Sequence, residues 1–177
     1  MTELVTPRLL LRDFRFADEA AVHAYASDPK ATGFTDWGPN DTAATREFIV
    51  QAAAEAHSPT GARTYTLAAV LRATDHVIGA AGLVVEEVTT RSGSIGYVIH
   101  PAFWSRGYAT EAAARLLQFG FTDLRLHRIW ATCRPDNRPS ARVLEKVGMQ
   151  LEGQLRDHIL IRGQWRDSLL YAAINRS

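Results

Sequence analysis

The stretch IGYVIHPAFWSRGYATEAAARLLQFGF, Ile95 to Phe121, decides the fold. Ser94 to Ile99 reads as a strand that ends at His100-Pro101. Ser105-Arg106-Gly107 is a loop of small or flexible residues. A helix begins at Tyr108 or Ala109 and reaches Phe121. Its apolar stripe is Ala109, Ala112, Ala113, Leu116, Leu117 and Gly120. A strand, a turn of exposed N–H groups and a helix N-terminus together make an anion site, because unpaired amides and the helix dipole both attract a phosphate. Gly107 permits close backbone approach, and Arg106 offers a charged fork. An ordinary strand–turn–helix connection reads the same way. Eighteen of the twenty basic residues are Arg, so a single Arg there is weak support. The spacing matches neither G-x-G-x-x-G nor G-x-x-x-x-G-K-[ST], which disfavours dinucleotide-binding and P-loop classes.

Arg128 to Gly148, RIWATCRPDNRPSARVLEKVG, repeats the arrangement. The strand Ile129 to Cys133 runs into the polar loop Arg134-Pro135-Asp136-Asn137. A helix over Pro139 to Val147 follows, with Pro139 near its start and Gly148 just past its end. The Ser140 hydroxyl stands where the dipole favours developing negative charge. Plain helix capping is the other reading of Asn137 and Ser140.

Outward from these segments, Arg8 to Asp13 reads as a strand and Ala17 to Ser27 as a helix stopped by Asp28-Pro29. Phe34 to Pro39 is loop. Asp41 to Ala56 is helical, capped by Asn40 or Asp41, and Ser58 to Gly61 breaks the chain. Tyr65 to Leu71 alternates as a strand should. Val77 to Val85 is apolar on both faces, as in a central buried strand. Leu151 to Arg162 and Ser168 to Ile174 close the chain as strands turned around Gly163. The order is that of an α/β domain with a mixed sheet.

The 177 residues suit a single domain, and 46% hydrophobic with 22% charged residues excludes a disordered or fibrous chain. A net charge of +1 supplies no bulk attraction to nucleic acid or to an anionic membrane. The longest apolar run, Val77 to Val85, is far short of the roughly 20 residues of a membrane span. The N-terminus lacks a signal-peptide pattern. The lone Cys133 excludes an internal disulfide and reads as a small buried residue. The six histidines have no metal-ligand spacing. The expectation is a cytoplasmic protein with no metal.

Taken together, these segments resemble the GNAT acetyltransferase superfamily, and within it the ribosomal-protein N-terminal acetyltransferase (RimJ/RimL-like) branch. The resemblance rests on Trp104-Ser105-Arg106-Gly107-Tyr108-Ala109-Thr110-Glu111-Ala112, on Asn137-Arg138-Pro139-Ser140, and on Leu144-Glu145-Lys146-Val147-Gly148. Arg8 to Arg12, Ile95-Gly96-Tyr97, His127-Arg128-Ile129, Glu152-Gly153 and Gly163-x-Trp165-x-Asp167 extend it across the chain. It implies one N-acetyltransferase domain over residues 1–177. The implied fold is α/β (α+β): a GNAT-like mixed, splayed sheet of about seven strands flanked by about four helices. It also implies acetyl-CoA as donor cosubstrate and an amine acceptor.

The resemblance places the pyrophosphate at Arg106, Gly107, Tyr108, Ala109 and Thr110. The pantetheine arm falls beside Tyr97, Val98 and Ile99, whose strand supplies an N–H to the thioester carbonyl. Asn137 matches a pantetheine contact. This chain departs from the family at three places. Trp104 stands where the superfamily often has Gln or Arg. Leu144 stands where many members carry the Tyr that protonates the leaving thiolate, so Ser140 is the hydroxyl that remains. Ser94 stands where the branch often has Glu. The general base is therefore left open; Glu86 and Glu87, at the end of the preceding strand, are its candidates, directly or through a water, and a solvated strand end is their alternative reading. Phe34, Asp36 and Trp37 occupy the loop that acceptors approach in this family.

The implied reaction is acetyl transfer to a primary amine, foremost the N-terminal α-amine of a protein or peptide such as a ribosomal protein. A small amine (an amino acid, polyamine or aminoglycoside) is the alternative acceptor. A CoA-binding module without catalysis is the alternative class. The chain is expected as a monomer or homodimer.

Overall fold

The structure, a computed structural model, describes residues 2–55 and 64–176, with Glu87 described by its backbone alone. The expected break at Ser58 to Gly61 lies outside the described residues. In chain order the elements are β1 (Glu3–Val5), β2 (Leu9–Asp13), α1 (Glu19–Ala26), α2 (Pro29–Thr32), α3 (Thr42–Glu55), β3 (Thr64–Leu71), β4 (His76–Glu87), β5 (Ser92–Ile99), α4 (Tyr108–Thr122), β6 (Arg128–Cys133), α5 (Arg138–Lys146), β7 (Gln150–Ile161) and β8 (Gln164–Ile174).

The expected elements are present, with one short strand and one short helix more than expected. Asp28-Pro29 does not only stop α1. The Asp28 carboxylate accepts the Lys30 N–H at 2.7 Å, and Pro29 occupies the first turn of α2, where its missing N–H costs nothing. Asp41 rather than Asn40 caps α3, accepting the Ala44 N–H at 2.8 Å.

Eight strands form one sheet in the order β1-β2-β3-β4-β5-β6-β8-β7. Every neighbouring pair is antiparallel except β5–β6. Parallel strands need a crossover, and α4 supplies it. Helices α4 and α5 cover one face around Leu83, Ile95, Leu116, Ile129 and Leu144. Helices α1 and α3 cover the other around Val22, Tyr25, Ile49, Val70 and Val77. Gly120 sets how closely α4 sits on the sheet, since a Cβ there would lie 2.4 Å from Ile129 Cδ1 and 2.9 Å from Leu83 Cδ1.

The β5–β6 pairing is short. It joins Ser92 to Arg128, Gly93 to Ile129 and Ser94 to Trp130, and then stops. Both strands continue, β5 to Ile99 and β6 to Cys133. The sheet is therefore split along a line that starts at Ile95.

Beneath the α1 face, Arg12 and Asp18 form a buried two-pronged ion pair at 2.8 and 2.9 Å, with 4% and 7% of their side chains exposed. Burial alone would raise the Asp18 carboxyl. Hydrogen bonds from Arg12 and from the Arg15 N–H outweigh it and hold the group below the usual carboxylate range. Its contribution to stability is thus present above the unfolded carboxylate value and is lost as pH falls through the lower folded one. Asp18→Ala leaves Arg12 buried without its counter-charge. The expected loss in urea unfolding at neutral pH is about 3–5 kcal/mol, shrinking as the solution is acidified. A loss below about 1 kcal/mol would show that Arg12 finds water instead.

Candidate active site

The split leaves one edge of β5 bare. The His100 N–H bonds the Ile78 carbonyl at 2.8 Å, which sets the phase of the β4–β5 ladder. His100, Val98 and Gly96 exchange their backbone bonds with β4, so Tyr97 and Ile99 turn their N–H and C=O groups toward the gap. The Ile99 carbonyl confirms the direction, because it accepts the Trp104 indole N–H at 2.7 Å. The backbone of Val98 is thus committed to β4, and its side chain packs with the α1–α3 core.

At one end of the gap stands the start of α4. Gly107 caps the helix at φ +82 and Ser105 lies at φ +60, so two left-handed residues curl the loop ahead of it. The cap has no side chain. The first-turn N–H groups of Tyr108, Ala109 and Thr110 precede the first helical bond, from Glu111 N–H to the Gly107 carbonyl. These are the donors an anion needs. The loop is braced from behind. The Glu111 carboxylate accepts the Thr6 hydroxyl at 2.6 Å, the Arg8 N–H at 2.8 Å and Arg8 Nε at 2.7 Å. Arg8 Nη1 also donates to the Arg106 carbonyl at 2.9 Å, with its guanidinium 4.5 Å from the centre of the Tyr108 ring. Burial works against the Glu111 charge, but the bonds from Thr6 and Arg8 prevail and hold its carboxyl below the usual range. The Arg106 guanidinium lies 5.6 Å from the centre of the Phe103 ring.

Helix α5 forms the opposite wall. Asn137 Oδ1 accepts the Ser140 N–H at 3.2 Å, so capping is real and leaves the amide nitrogen of Asn137 as the end it can offer a ligand. The half-buried Ser140 hydroxyl faces Tyr97 across the split. The Tyr97 phenol lies 2.9 Å from Ser140 Oγ and 3.2 Å from the Ser140 carbonyl. Tyr97 and Ser140 thus meet as side chains, although the motif had marked Tyr97 for its backbone.

On the other face of β5, the Ser94 hydroxyl donates to Glu86 Oε1 at 2.7 Å. Glu86 sits in a register shift between Val85 and Glu87. Glu87 is placed only as the end of β4. Around the loop that follows α2, Arg134 stacks 5.5 Å from the centre of Phe34, and Arg162 donates to the carbonyls of Thr32 and Gly38 at 3.1 and 2.7 Å. Cys133 is buried, and burial pushes its thiol up to about 11, which makes it a poor nucleophile.

The family model described as "Acetyltransferase (GNAT) domain" matches residues 8–150. The chain belongs to this family. The N-acetyltransferase YnaD of Bacillus subtilis, itself uncharacterised, is 35% identical over 97% of this chain and 96% of its own. A GNAT-family acetyltransferase structure from Bacillus anthracis superposes with a TM-score of 0.86 at 34% identity, covering 98% of each chain. RimJ of Mycobacterium smegmatis, in complex with CoA-disulfide, superposes with a TM-score of 0.82 at 30% identity over 94% of this chain and 81% of that one. Two shorter matches differ in acceptor. The [ribosomal protein uS5]-alanine N-acetyltransferase of Escherichia coli is 35% identical over 44% of this chain and 40% of its own. The spermidine N(1)-acetyltransferase of the same organism is 29% identical over 45% and 42%.

The residues of this GNAT domain fit acetyl-CoA. Phosphate donors stand at the α4 end, a bare strand edge faces the gap, and a hydroxyl lies across it. A Cβ at Gly107 would meet only Arg8 Nη2 at 3.4 Å, so the position is limited by its positive φ rather than by space. Gly107→Ala should strain the left-handed turn by about 1–2 kcal/mol and weaken CoA binding about tenfold in calorimetry. Unchanged affinity would show that the left-handed turn is not part of the grip.

Proposed function

We propose that this GNAT acetyltransferase transfers acetyl from acetyl-CoA to the N-terminal α-amine of a protein or peptide. The observation that carries the reading is the gap beyond Ser94–Trp130, with the first-turn α4 amides at one end, the Tyr97 and Ile99 backbone along its β5 edge and Ser140 held against the Tyr97 phenol. Acetyl-CoA supplies an acetyl group already activated as a thioester. Tyr108, Ala109 and Thr110 hold its pyrophosphate, with Arg106 and Gly107 shaping the loop. The edge of β5 positions the pantetheine arm opposite Asn137. A β5 N–H directed into the gap meets the thioester oxygen and stabilises the negative charge that develops there. Ser140 donates a hydrogen bond to the departing sulfur. A thiol with a pKa near 8.5 needs no stronger help.

Glu86 takes the proton of the amine. Ser94 lies three residues before Tyr97, about 10 Å along the strand and on its opposite face, so the proton reaches Glu86 through water in the open gap rather than by direct contact. An α-amine, with a pKa of about 7.7–8.0, asks little of such a base, whereas a lysine near 10.4 asks more. The uS5-alanine enzyme supports a protein acceptor. The spermidine enzyme keeps a small polyamine as the second reading. Among the described residues no helix is long and apolar enough to cross a membrane.

The test is thiol release from acetyl-CoA with a panel of peptides, amino acids, polyamines and aminoglycosides. Turnover with free peptide N-termini, abolished by blocking the α-amine, is expected. Faster turnover with spermidine would install the second reading. CoA binding with no release from any amine would leave a binding module. Ser140→Ala should lower kcat roughly tenfold, the worth of one hydrogen bond, with KM for acetyl-CoA nearly unchanged. An unchanged kcat would remove Ser140 from the reaction.

A further inference from the structure

We propose that the Tyr97 phenol is a positioning residue, which holds the Ser140 hydroxyl so that its proton is directed at the sulfur lying between the two arms of the sheet. This rests on the reading of the gap as the acyl-CoA site. Tyr97 belongs to β5 and Ser140 to α5, 43 residues apart in sequence, and they touch only because the strands separate at Ile95. The ring of Tyr97 packs on the edge of the α4-side core, so its hydroxyl is carried on a fixed support.

The two hydroxyls share two protons among three acceptors. The Ser140 carbonyl only accepts. If the phenol donates to that carbonyl at 3.2 Å, Ser140 donates back to the phenol and its proton is spent. If the phenol donates to Ser140 Oγ at 2.9 Å, the serine proton is free to point into the gap. Negative charge on sulfur selects the second arrangement, because a hydrogen bond to an anion is roughly twice as strong as one between neutral groups. The chain from phenol to serine to sulfur then strengthens along its length. As the C–S bond breaks, its electron pair stays on sulfur, and the Ser140 O–H holds the thiolate.

Neither hydroxyl gives up its proton in this step. Burial pushes the Tyr97 phenol up to about 12 despite its bond with Ser140, well above a thiol near 8.5. Proton transfer from Tyr97 to the sulfur is uphill, and the phenol remains a donor throughout. The departure from the family pattern at Leu144 is thus met by a serine and a strand tyrosine acting in series.

Tyr97→Phe keeps the ring and its packing and removes only the hydroxyl. The direct readout is the ionisation of the thiol of bound CoA, followed by thiolate absorbance between about pH 6 and 9. Cys133, at about 11, adds no thiolate signal in that range. The bound thiol should ionise at lower pH in the native protein than in Ser140→Ala, and Tyr97→Phe should move it toward the Ser140→Ala value. In turnover, Tyr97→Phe should lower kcat about five- to tenfold with KM for acetyl-CoA unchanged, and should do nothing further in a Ser140→Ala background. An unshifted thiol in Tyr97→Phe with CoA still bound, or full additivity of the two substitutions, would overturn the inference and leave the site reading standing. Failure of the native protein to bind CoA would overturn both.

Discussion

The structure depends on a hydrogen-bond ladder that ends early. Parallel strands β5 and β6 pair through Ser94–Trp130 and no further, yet both run on. Backbone groups that would satisfy each other in a continuous sheet are left facing a gap, and unpaired polar groups are costly unless water or a ligand meets them. The Trp104 indole meets one of them at Ile99. The groups that remain form a strand edge ready for an extended ligand, and the proposed occupant is the amide-rich pantetheine arm. The crossover helix that makes parallel pairing possible also delivers its own N-terminus to the mouth of the gap.

Two kinds of bracing keep this arrangement open. From behind the loop before α4, Thr6 and Arg8 fix Glu111 in the first turn of that helix, so the amino-terminal strands and the loop are one mechanical unit. Glu111 also brings negative charge to the positive end of its own helix, which favours the helix but competes with a bound phosphate. Arg8 offsets that charge. Across the split, Tyr97 and Ser140 tie the two arms where the backbone ladder no longer does.

Much of this was legible in the sequence. The strand–loop–helix of Ser94 to Phe121 announces itself through its periodicity and Gly107, and the motifs carried the family. What stayed hidden depends on long-range register. Ser94 in place of Glu reads as a lost carboxylate, yet Glu86 returns one to its hydroxyl from the next strand because of an irregularity after Val85. No local pattern signals that irregularity. Tyr97 carries a motif position, but its partner is set by how far β5 and β6 diverge. Trp104 stood in a motif without a role, and its carbonyl partner appears only when the loop folds back. Pro29 reads as a stop yet also opens α2, since proline ends one helix and begins another with equal ease. The three residues of β1 are too few for alternation to show.

The central claim is that the split between β5 and β6 is the acyl-CoA groove. A crystal structure of the protein with bound CoA tests it most directly. The account predicts the pyrophosphate on the N–H groups of Tyr108 to Thr110, the pantetheine arm hydrogen-bonded along the edge of β5, and the sulfur within hydrogen-bond reach of Ser140. A CoA molecule seated elsewhere, with β5 and β6 closed on each other along their full length, would contradict it.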